Sequence, residues 1–125
     1  MLEGTWKLMS GEQNGQDESA EDVKNSKLEI IGDQHCVTVG EAVMKGTHKL
    51  DTSQTPMTID STDTAGPFEN MSLKGIFKLE SDLFTVCFAA PAAERPTEFT
   101  TKDGKATLLH VWKRLPGQTA TLSRF

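Results

Sequence analysis

Apolar residues recur at every second position in eight short segments of this chain, and turn residues separate the segments at short intervals. A period of two places alternate side chains on one face of a β-strand, so each segment has one face to bury. In GTWKLM, Gly4, Trp6 and Leu8 oppose Thr5, Lys7 and Met9. KLEII puts Leu28 and Ile30 together, and QHCVTV aligns His35, Val37 and Val39. AVMKGTHKL aligns Met44, Gly46, His48 and Leu50, and PMTIDST aligns Met57 and Ile59. SLKGIFKL aligns Leu73, Gly75, Phe77 and Leu79, and LFTVCF aligns Phe84, Val86 and Phe88. The eighth segment, ATLLHVWKR, is apolar on both faces, which leaves its inward side open.

Most connections are too short for a crossover helix, so neighbouring segments pair antiparallel. Eight up-and-down strands with one apolar face each are best satisfied by closure into a barrel, which also removes unpaired edges. The expected fold is all-β: an eight-stranded up-and-down antiparallel barrel over residues 1–115. Residues 116–125, opened by Pro116, have no periodicity and read as a loosely ordered tail. SAEDVKN predicts one or two turns of helix between the first and second strands. Ser19 stands at the cap, and Glu21 and Asp22 lie in the first turn, where the helix dipole favours acids.

In such a barrel alternate connections share an end. Gly32-Asp33, residues 51–55 and residues 80–82 tie one end tightly. The other end carries three long connections, residues 10–26, 62–71 and 89–104, and positioned loops are where function concentrates. Trp6 enters at the tied end beside the WKR terminus of the last strand. It is expected to plug the barrel there, with Lys113 or Arg114 over its indole.

The chain has 125 residues, enough for one domain with a core that needs no disulfide or metal. A net charge of -5 argues against a nucleic-acid partner and against an anionic membrane surface. No apolar run approaches the roughly 20 residues of a membrane span. No basic flank leads into an apolar stretch, so no signal peptide is visible; the expected location is the cytoplasm, a removed leader being the alternative. Cys36 and Cys87 lie far apart without CxxC spacing and read as free thiols.

Gly-x-Trp on the first strand, with a basic residue ending the last, is similar to the signature of lipocalin and calycin barrels. GTWKL, GTHKLD, LKGIFKLESDLFTVCFA and ERPTEFTTKDG together resemble a planctomycete family of small lipocalin-like domains of unknown function. The resemblance runs from Gly4 to Arg114. It implies the fold and no particular activity. His35 and His48 stand where that family has aromatic residues.

No serine has a nucleophile-elbow context and no Gly-rich loop joins a strand to a helix, so no catalytic residue is assigned and no enzyme is expected. His35, His48 and His110 could together form an open zinc or haem-iron site. No two of them share a local ligand spacing, and barrel packing is the preferred account, with no metal and no cofactor. Asp60 and Asp63 read as solvated surface carboxylates.

The expected ligand cavity is lined by Met44, His48, Ile59, Phe77, Val86 and Phe88, with Gly46 and Gly75 leaving room on the same faces. In AAPAAERPTEF, Pro91 and Pro96 stiffen a loop that would hold Arg95, Glu98 and Phe99 at the cavity rim, or else fold over the barrel through internal pairs. The expected function is non-enzymatic binding of a small hydrophobic or amphipathic molecule inside the barrel, a fatty acid first, its head group paired with Arg95. The alternatives are a structural or protein-interaction domain with a filled core, and a haem- or metal-binding barrel.

Overall fold

Alternation and tight turns produce a closed antiparallel barrel. The computed structural model describes residues 1–66 and 69–116. Its elements are β1 (Gly4–Gln13), β2 (Gln16–Asp17), α1 (Ala20–Lys24), β3 (Ser26–Ile31), β4 (Gln34–Val39), β5 (Ala42–Asp51), β6 (Met57–Ala65), β7 (Ser72–Glu80), β8 (Leu83–Phe88) and β9 (Leu108–Arg114). From β3 onward each strand pairs with its sequence neighbours, β3 pairs β1, and β1 pairs β9 to close the sheet. β2 is a two-residue return against the end of β1, so the barrel proper has eight strands.

The helix forms as its capping residues dictate: the Ser19 hydroxyl accepts from the Asp22 backbone N–H. It lies between β2 and β3, because the chain first turns at Asn14-Gly15. The tail expected over residues 116–125 lies, from residue 117 on, outside the described residues. Among the described residues no helix is long and apolar enough to cross a membrane. Cys36 and Cys87 are both buried and are not joined in a disulfide.

The core occupies the tied end. Trp6, Phe77, Phe84 and Trp112 are all buried there with Leu2, Leu8, Leu28 and Ile59. Phe84 packs on Trp6 at 5.6 Å and edge-on to Phe77 at 6.0 Å between ring centroids. Trp6 donates from its indole N–H to the Leu2 carbonyl at 2.9 Å, so its one polar atom is satisfied inside the core. The Arg114 guanidinium lies 4.5 Å from the Trp6 ring centroid. Lys113 does not share this role. It is exposed on the outer wall opposite Leu83 and Lys7, because adjacent residues of a strand face opposite ways. Parity settles the last strand: His110 and Trp112 face in and are buried.

The 89–107 connection folds down the outside of the barrel. Ile76, Cys87 and Ala106 make a second, outer cluster, with Phe99 and Leu109 packed against it. The Cys87 thiol approaches the carbonyls of Glu98 and Thr100, and burial pushes its pKa up to about 11. It is therefore a protonated packing group. Thr101 ties the same loop to the β1–β2 turn: its hydroxyl reaches Glu12 Oε1 at 3.0 Å and accepts from the Gly15 N–H.

Candidate functional site: a chamber above the aromatic core

Above the aromatic layer the barrel is not filled. A chamber of about 120 Å³ lies among inward side chains of all the barrel strands except β1. Met44, His48, Ile59, Val86 and Phe88 line it, as alternation predicts. Phe77 does not: it points into the closed half, fully buried against Phe84. Alternation fixes which face a residue occupies but not its height along the barrel, so Phe77 has the right parity and the wrong level. Leu28, Ile30, Val37, Leu73 and Leu108 complete the apolar lining together with Phe84 and Trp112, the rings of the aromatic core that border the chamber.

The chamber meets a mouth of about 400 Å³ at the long-loop end, sharing Met44, Leu73, Phe88, Leu108 and His110 with it. Gln13, Glu18, Asp22, Ala90 and Pro91 form the lip.

The expected rim of Arg95, Glu98 and Phe99 is a correction. Arg95 donates from Nη1 to the Gly75 carbonyl at 2.8 Å and the Ile59 carbonyl at 3.2 Å, and from Nη2 to Asp60 Oδ1 at 2.6 Å. These partners make it a clamp on the outer wall of β6 and β7. Glu98 is exposed beside it, and Phe99 covers the outer cluster under the Lys78 ammonium, 5.1 Å from its centroid. The apolar outer faces of Ile76 and Cys87 draw the loop away from the opening. The alternative of a loop folded over the barrel by internal pairs is the arrangement found.

Two polar bridges cross the interior. His35 on β4 and Asp63 on β6 flank Gly46 of β5, which pairs in register with both. His35 Nε2 meets Asp63 Oδ1 at 3.0 Å directly across that glycine. A Cβ on Gly46 would lie 2.9 Å from the same carboxylate oxygen and 2.3 Å from the Thr62 carbonyl. Gly46 thus admits a bridge rather than leaving a void. Gly75 likewise is covered: a Cβ there would meet the Phe88 ring at 2.6 Å.

His35 Nδ1 stands 3.1 Å from His48 Nδ1, with the rings stacked at 26°. One proton fits between two such nitrogens, so the rings cannot both be doubly protonated. Burial, and then the charge of His35, lower the pKa of His48; Asp33, the Gly32 carbonyl and Glu3 oppose this weakly. His48 is therefore neutral near pH 7. On the opposite wall His110 Nε2 meets Glu18 Oε1 at 2.8 Å and sits edge-on to Trp112. This bond, with the charge of His110, holds the Glu18 carboxyl below its ordinary range despite burial.

The three histidines do not converge: His110 stands with Glu18, apart from the other two. Among the described residues no three His, Cys, Asp or Glu side chains gather as a metal-binding group. Asp63 is the residue sequence reading missed. It is buried and paired, although its parity with Met57, Ile59 and Ser61 already pointed inward. Glu18 gave no such signal, since it reaches the interior from an irregular connection.

No family model matches the chain, and neither a curated protein nor a solved structure shows significant similarity to it.

Proposed function

We propose that this barrel is a lipocalin-like, non-enzymatic binding module for a small apolar or amphipathic molecule held in the chamber and admitted through the long-loop end. The observation that carries this reading is the division of the interior. The tied half is closed by Trp6, Phe77, Phe84 and Trp112, and above these rings lies an apolar chamber that shares five lining residues with a mouth at the long-loop end. A barrel whose only task was to stand up would gain stability by filling that half as well. Apolar walls supply most of the affinity in such sites, and a few polar groups fix orientation.

A titration with the neutral, environment-sensitive probe N-phenyl-1-naphthylamine tests it. Wild type is expected to enhance the probe's fluorescence with saturation. Val37→Phe, which adds a ring to the chamber wall, is expected to weaken binding while the protein stays folded. Absence of saturable binding, together with a rise in melting temperature for Val37→Phe, would favour the filled-core structural or interaction domain. The filled aromatic half is the observation on that side.

A further inference from the structure

The charge of the lining selects among amphipathic ligands. Among the described residues, no lysine or arginine lines the chamber or the mouth. Each of the histidines His35 and His110 is already bonded to a carboxylate, Asp63 and Glu18 respectively, and His48 is held neutral by burial and its neighbour. An anionic head group would therefore meet no uncompensated positive partner, and burying it without one is costly. The N-terminus of the five-residue helix α1 offers none either, being capped by its own Ser19.

The lip carries the opposite sign. Glu18 and Asp22 belong both to the mouth and to a polar recess of about 420 Å³ beside it, which Asp17 also lines. Only Oε1 of Glu18 is engaged by His110, and the bond keeps that carboxylate ionised. The chamber is the site; the carboxylates at its mouth fix the sign of charge it accepts. A chamber of about 120 Å³ is a little smaller than a cavity that takes up a benzene ring, about six heavy atoms, so a longer apolar part extends from it into the mouth.

We infer that the ligand is a cationic amphiphile: an alkyl or aryl amine whose apolar part fills the chamber between Val37, Leu73 and Phe88 and whose ammonium stands at the mouth against Glu18 and Asp22. This rests on the barrel binding a small molecule at all. It replaces the fatty acid that Arg95 at the rim would have suited, because Arg95 is committed to the outer wall.

Calorimetric titration with n-octylamine, 1-octanol and octanoate, which share one chain and differ in head group, separates the two claims. Octylamine is expected to bind about five- to tenfold tighter than octanol, the range of one or two partly screened ion pairs, and octanoate weaker than octanol. Raising the salt should narrow the gap between amine and alcohol. Glu18→Gln/Asp22→Asn should weaken the amine more than the alcohol and so bring the two close together. Asp22→Asn alone, at an exposed position, should give part of that loss and guards against a folding defect from losing the Glu18–His110 bond. Val37→Phe should weaken all three ligands. Octanoate binding as tightly as octylamine, or an amine preference that survives Glu18→Gln/Asp22→Asn in a folded protein, would overturn the charge assignment while binding itself stands; undiminished amine binding to Val37→Phe would overturn the chamber as the place where the apolar part sits. Failure of all three ligands to bind would overturn the binding module as well.

Discussion

Trp6 shows how one residue can organise an end of the barrel. It is fully buried, its N–H is satisfied by Leu2, and Arg114 covers its face. Trp6→Ala is expected to cost about 3–5 kcal/mol in denaturant melts, as large core truncations do. A loss below about 1 kcal/mol would remove the plug from the account. His48 makes a different prediction. Unfolded, it takes up a proton near its ordinary value of 6.5; folded, it does so only at lower pH. Between those values the unfolded chain binds more protons, so this contribution to stability is whole above about pH 6.5 and is lost as pH falls below it. His48→Phe keeps a ring beside His35 and removes the titration. Urea unfolding from about pH 7 to pH 5 should show a shallower decline in the variant. Equal declines would mean that His48 is not the group responsible.

The strands were legible as elements because each has one buried face, and period-two alternation records that face directly. The same record failed where a second layer covers the outside. Ile76 and Cys87 face outward yet are buried, and nothing local in AAPAAERPTEF announces that it packs on them. The proline-stiffened loop was visible; its destination was not, since that depends on an apolar patch formed by three other elements. Gly46 teaches the same lesson in reverse. Its parity was plain, but whether an absent side chain leaves a void or admits a bridge depends on both flanking strands. Gly46→Ala is expected to destabilise by about 1–3 kcal/mol, the cost of overpacking against backbone, and to separate His35 from Asp63. Phe99→Ala should cost about 2 kcal/mol, less than a fully buried ring, and leave ligand binding unchanged. Loss of binding in a folded Phe99→Ala protein would return the loop to the rim.

At the scale of the whole molecule the barrel is asymmetric along its axis. Short turns and four large aromatic rings close one end, and the long connections surround the other. The fold followed from the pattern, whereas the site depends on height along the axis, on Glu18 arriving from an irregular segment and on Arg95 leaving for the outer wall. None of these is periodic. On the proposed reading the upper chamber is a binding space. Methyl NMR locates the ligand most directly. On titration with 1-octanol, the methyl resonances of Met44, Leu73 and Val37 should shift together and saturate, while those of the exposed Met9 and Met71 stay in place. Shifts confined to Met9 and Met71, or no saturable shift at Met44, Leu73 and Val37, would contradict the account.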